Sequence, residues 1–152
     1  MKGGDTRMKL PEYVSKAEVK RVCKELGFRD WSALKEFAIT KKEAATILEI
    51  VNVKKMAVPV EEFRQGLDVE LEHGTRYTDA NVTNNHPILT GKIVLAHLKE
   101  MMDYYERLEV AEIEGDLLKA VIAKNLNKIE EKYNKLIKAE SLLNKAVKEQ
   151  LE

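Results

Sequence analysis

All three histidines of the chain, His73, His86 and His97, fall within 25 consecutive positions. Two of them carry a glutamate at helical spacing, in Glu70-Leu-Glu-His73 and in His97-Leu-Lys-Glu100. Residues three apart on a helix project from one face, so each pair can aim a carboxylate and an imidazole at a common point. Two such pairs on facing helices would make a cluster of two imidazoles and two carboxylates. Glu70, His73, His97 and Glu100 are therefore candidate ligands for Zn²⁺, Mn²⁺ or Fe²⁺. The order Glu-x-x-His of the first pair is that of carboxylate-bridged dimetal helical bundles. The second pair is reversed, and Glu109 and Glu112 are the further bridging carboxylates considered. The same side chains suit two other roles: a structural His/Glu network that pins the segment 74–85, or acid–base chemistry with His73 or His97 titrating near neutrality. No nucleophile elbow, P-loop or dinucleotide fingerprint accompanies them. Thr90-Gly91-Lys92 lacks the upstream glycine of a phosphate-binding loop. The expectation leans away from an enzyme, with a hydrolase using His97 as base as the lowest alternative.

The elements that must hold these residues are helical. Ser15 with Glu18, and Thr40 with Glu43, are capping boxes, and Gly27 sits where a helix-ending glycine belongs. Asp30 can cap a short helix containing Trp31, Leu34 and Phe37. Residues 15–58 thus read as a tri-helical module, with Cys23 on a buried face as a core residue. Val60 to Gly66 reads as a short helix anchored by Phe63, and Asp68 to Gly74 as further helix. Gly74 to Asn85 is rich in Thr, Asn and Asp, residues that bond their own backbone, and reads as a loop. From Ile93 to Leu108 apolar residues populate more than one face, which predicts a largely buried central helix. Its Tyr104 and Tyr105, beside Met101 and Met102, are read as core or as the lining of a pocket.

From Ile122 the apolar positions run Leu126, Ile129, Tyr133, Leu136, Leu143 and Val147, with Glu140 between, in steps of four and three. That is the seam of a helix packed along another helix. One unbroken helix over 111–150 would be about 60 Å long at 1.5 Å per residue. Either it breaks, near Gly115 or the Asn125–Asn127 pair, and folds back as a hairpin, or it packs on a second subunit; the regular seam favours a homodimer. The expected organisation is a flexible tail over 1–14, the tri-helical module over 15–58, a central domain over 59–110 and an assembly helix over 111–152.

The segment from Phe63 to Leu108 carries several separated motifs in order: ELEHG, then NVT, then GKIVLAHLKE, then DYY. In these it resembles an uncharacterised family of short bacterial, archaeal and phage proteins, over roughly residues 60–110. The resemblance implies no established activity. It implies that Glu70, Glu72, His73, Asn81, Thr83, His97, Glu100, Tyr104 and Tyr105 belong to one constellation, with Asn81, Thr83, Tyr104 and Tyr105 as ligand-binding candidates.

Composition bounds the function classes. Lys and Arg number 26 against 26 Asp and Glu, and 34% of residues are charged. No stretch reaches the roughly 18 unbroken apolar residues of a membrane span, and no secretory segment is evident, so a cytoplasmic protein is expected. Abundant Lys and Glu with only two Gln suggests a thermophile, for which an archaeal source is natural. The balance conceals a polarity. Residues 1–59 carry 13 basic against 8 acidic side chains, and residues 60–152 carry 13 against 18. Lys16, Lys20, Lys24, Arg29, Lys41 and Lys42 on the basic tri-helical module make a DNA-binding regulator the alternative, although its third helix offers Lys41, Lys42, Glu43 and Glu49, a weak set for reading base edges.

Overall fold

The computed structural model describes residues 13–152, and over these the chain is all α-helical. Of the expected tail, residues 1–12 lie outside the described residues. Six helices follow in order: α1 (Lys16–Leu26), α2 (Lys41–Val51), α3 (Val60–Arg76), α4 (Pro87–Glu100), α5 (Tyr104–Ile122) and α6 (Leu126–Leu151). Two single 3-10 turns, Trp31–Ala33 and Thr78–Ala80, lie between them. The chain forms two compact units, one ending at Val94 and one from Leu95 to Glu152.

In the first unit, the end signals act as their chemistry requires. Ser15 accepts a hydrogen bond from the Glu18 amide, and Gly27 ends α1 in the left-handed conformation at φ 70°. The Thr40–Glu43 capping box is complete in both directions. The middle piece of the N-terminal module is shorter than expected. Asp30 caps it, but the helical turn ends at Ala33, and Leu34 is extended at ψ 132°. The reason is visible in the packing. Trp31 is fully buried and its indole N–H donates to Glu43, so the turn serves to insert one side chain.

Glu43 is the hub of this unit. Its carboxylate accepts from Arg29 at 3.0 Å, from Trp31 Nε1 at 3.3 Å, and from the Thr40 amide at 2.9 Å and hydroxyl at 3.0 Å. Burial alone would raise its pKa, but these donors together hold the carboxyl below its ordinary range. Around it the core closes on Val19, Cys23, Ile47, Phe63, Leu67 and Leu71, all 1% exposed or less. Cys23 is core, and burial pushes its thiol pKa up. Gly91 is where α4 meets this core. A methyl group there would strike Ile47 and lie within 3.5 Å of Phe63 and Val51, so only a hydrogen fits.

Two helices depart from expectation. The segment 60–76 is one continuous helix, α3, and carries through Gly74 to Arg76. The central helix is not continuous from Ile93 to Leu108, because Met101–Asp103 forms a turn between α4 and α5. Asp103 fixes the break. Its buried carboxylate accepts from Arg107 Nε at 2.8 Å and Nη2 at 2.9 Å, and from Gln150 of α6 at 3.1 Å.

In the second unit α5 and α6 form a helical hairpin. The break lies at Ala123–Asn125 and not at Gly115, which sits inside α5 at a position where an added Cβ would meet open space. Lys124 takes φ 53°, and Asn125 caps α6 by accepting from the Lys128 amide. A single 111–150 helix is therefore excluded. Lys132 of α6 reaches Asp116 of α5 at 2.9 Å, setting the register of the pair.

Candidate functional site

The ELEHG segment lies near the C-terminal end of α3, which places Glu70, His73 and Tyr77 one turn apart along one face. These three line a cleft of about 290 Å³, together with Gly74, Ala80, Val82, Thr83 and Asn81 from the following turn and Thr90 and Ile93 from α4. The first Glu-x-x-His pair therefore shares one recess, as its spacing predicts. Glu72 lies on the exposed side of α3 and does not line it.

The wall beyond His73 is built by asparagines. Asn81 Nδ2 donates to the Gly74 carbonyl at 3.0 Å and to Asn85 Oδ1 at 2.9 Å. Its Oδ1 accepts from the Thr83 amide and hydroxyl, and the Thr83 hydroxyl accepts in turn from the Asn85 amide. Asn84 and Asn85 take left-handed φ values of 48° and 62°, which asparagine tolerates better than most residues. Gly74 is what allows this closure. A Cβ there would lie 2.6 Å from Asn85 Oδ1 and 2.9 Å from Asn81 Nδ2. The expected loop is thus a tightly bonded turn, and Asn81 and Thr83 are bonded within it while lining the cleft.

His86, the middle histidine, ends this segment and caps α4. Its Nδ1 accepts from the Ile88 amide at 3.2 Å and the Leu89 amide at 3.4 Å. Accepting at Nδ1 requires the neutral ring. Burial lowers the pKa of this imidazole, against the pull of Glu18, with Arg21 lowering it further.

His97 and Glu100 lie in the second unit, past the unit boundary on α4. The His97 ring stacks on Tyr104, with centroids 4.0 Å apart and planes at 10°, and Tyr105 meets both rings edge-on. Of the expected constellation, Glu70, His73, Asn81 and Thr83 line the cleft of the first unit, and His97, Tyr104 and Tyr105 form an aromatic cluster in the second. Among the described residues, no group of three or more His, Cys, Asp or Glu side chains is gathered to hold a metal ion. Tyr77, Thr90 and Ile93 are lining residues that the sequence reading passed over. Tyr77 was the legible one, four residues beyond His73 on the same helical face.

The basic residues of the N-terminal half are partly committed. Arg29 bonds Glu43 and the Ala38 carbonyl, and Arg21 pairs with Glu18 and Glu25, both at 2.7 Å. Lys16, Lys20, Lys24, Lys41 and Lys42 are exposed.

A family model described as "protein of unknown function (DUF5661)" matches residues 19–114. The chain belongs to this family. The matched region of this DUF5661 member takes in the Glu43 hub, the cleft and the His97–Tyr104–Tyr105 stack, and stops inside α5. No curated protein and no solved structure matches the chain. Among the described residues, no helix is long and apolar enough to cross a membrane.

Proposed function

We propose that the chain is a ligand-binding protein whose cleft between the end of α3 and α4 takes a small polar molecule against Glu70 and His73, acting by binding rather than by catalysis. The observation that supports this is the shared recess. One carboxylate, one imidazole and the rim ring of Tyr77 face the same space, opposite Thr90 and Ile93. Its volume is at the lower end for small-molecule sites, so the ligand is a small metabolite and not a dinucleotide. The bonded turn behind it supplies rigidity, which reduces the ordering cost of binding. The metal form of the same reading places Zn²⁺, Mn²⁺ or Fe²⁺ on Glu70 and His73.

Amide NMR spectra of the full chain, titrated with ZnCl₂, MnCl₂ or a library of small polar fragments, test this. The expected result is a response confined to residues around Glu70, His73, Thr83 and Thr90, and lost in His73→Ala. A cleft silent to every probe at millimolar concentration overturns the reading. Elemental analysis of protein purified without a metal-affinity tag separates the metal form from the organic one.

The C-terminal hairpin supports a second part of the reading, a homodimer. Eight large apolar residues of α5 and α6 are more than half exposed, among them Ile122, Leu126 and Leu151 at 71%, 78% and 83%.

A further inference from the structure

The apolar seam read from the sequence of α6 divides into two rows in the structure. Ile129, Leu136, Leu143 and Val147 are half-buried and Ala139 is buried, and this row faces α5. Leu126, Tyr133 and Ile137 stand 78%, 56% and 55% exposed, about a quarter-turn around the helix, and Leu151 continues their row. Glu130, Glu140, Asn144 and Lys148, all exposed, share that face. From Leu126 to Asn144 the row advances in steps of four and three residues, the spacing of a coiled-coil seam. The row thus has the pattern of a helix partner, and α5 does not cover it.

We propose that this second row is a self-association surface, on which α6 packs antiparallel against α6 of a second copy and joins two hairpins into a four-helix bundle. The inference rests on the homodimer reading and adds to it the face, the direction and the register. Charge selects the occupant. In a parallel pair, Glu130, Glu140 and Lys148 each meet their own copy, and like charges at facing positions repel. In an antiparallel pair with the two-fold axis beside residues 138–139, Glu130 meets the partner's Lys148, and Lys148 the partner's Glu130. Leu126 then meets the partner's Leu151, Tyr133 the partner's Asn144, and Ile137 the aliphatic stem of the partner's Glu140. The acidic residues lie in the first and middle parts of the row and the lysine at its end, so the surface complements itself only when reversed. A two-fold axis requires such self-complementarity. α6 has 26 residues and is about 39 Å long, more than three heptads of contact. Val121 and Ile122, 51% and 71% exposed, extend the apolar surface around the turn beside Leu126.

Sedimentation equilibrium of the full chain between 1 and 100 μM, with far-UV circular dichroism of each variant, tests the proposal. The wild type is expected at twice the 17.4 kDa chain mass. Ile137→Glu should weaken dimerisation about 100-fold without loss of helix, the effect of removing a central apolar anchor. Leu142→Glu, 63% exposed on a different face of α6, should leave the mass unchanged. Glu130→Lys should weaken the dimer several-fold, and adding Lys148→Glu should restore it. A wild type at the single-chain mass throughout overturns the dimer itself. A dimer indifferent to Ile137→Glu, or a Glu130→Lys defect that Lys148→Glu leaves in place, overturns the face and register while the dimer stands. The charge-swap rescue decides the question even where Ile137→Glu alters the fold.

Discussion

The two units solve the problem of burying apolar surface in opposite ways. The first buries large side chains completely: Trp31, Phe63, Ile47, Leu67 and Leu71 are at most 1% exposed, around one satisfied carboxylate, Glu43. The α5–α6 hairpin buries few, and of its four buried apolar residues, Tyr105, Ile113, Ala120 and Ala139, two are alanines. Its surface ion pairs, such as Lys135–Glu131 at 2.7 Å, are of the kind worth only a few tenths of a kcal/mol. A compact core with a polar hub encloses its large apolar side chains, whereas two helices that share one interface leave Leu118, Ile122, Leu126 and Ile137 on their outer faces exposed.

Four substitutions in the first unit, two of them paired with a control in the hairpin, break or sharpen that contrast, in descending order of effect. Phe63→Ala should cost about 3–5 kcal/mol of unfolding free energy in urea, because it opens a cavity against Leu67, Ile47 and Gly91. Leu142→Ala in the hairpin should change it by no more than about 0.5 kcal/mol. Equal losses at the two sites would end the comparison. Glu43→Ala should cost about 3 kcal/mol, because it strands the buried Trp31 indole N–H and removes the Thr40 capping box. The matching hairpin variant Asp116→Ala, which frees Lys132 and the exposed Lys119, should cost under about 1 kcal/mol.

Gly74→Ala should cost about 1–3 kcal/mol, because the new methyl displaces Asn85 and Asn81. Hydrogen exchange should show the loss as faster opening of residues 77–86, with the hairpin unchanged. A uniform loss across both units would mean that the turn has no boundary of its own.

The smallest effect is pH dependence. Burial holds the pKa of His86 below its ordinary value of about 6.5, so the unfolded chain takes up the proton more readily. The stability contributed by this cap is then present above pH 6.5 and is lost as pH falls through 6.5 toward the folded-state value. His86→Asn keeps a capping acceptor without the titration, and should flatten stability between pH 7 and 5. A slope unchanged by that substitution would assign the effect to another group.

Much of the local structure was legible because it depends on neighbours in the chain. The Ser15 and Thr40 caps, the Gly27 terminator and the helical spacing of Glu70 and His73 follow from backbone geometry over four residues. Long-range placements were not legible. The capping box at Thr40 identifies Glu43 as a helix-starting residue, yet nothing local shows that Arg29 and Trp31, 14 and 12 residues earlier, bond the same carboxylate. Gly74 looked like the start of a loop, because a glycine inside a helix is unfavourable in isolation. It is tolerated here because two asparagines fill the space that a side chain would occupy. The turn at Met101–Asp103 depends on Arg107 and on Gln150, 47 residues away, and no apolar period marks it.

For this protein the sequence by itself determined the all-helical class, the ends of α1, the start of α2, and the presence of one carboxylate–imidazole pair on the face of a helix. These depend on periodicity and capping, interactions within a turn or two. The tertiary structure decided which rows of α6 are covered, that His97 stacks on Tyr104, and that the 77–86 segment is a bonded turn. Such outcomes depend on which surfaces the folded chain brings into contact, and a spacing of four and three is the same whether α5, a second copy or water lies against it.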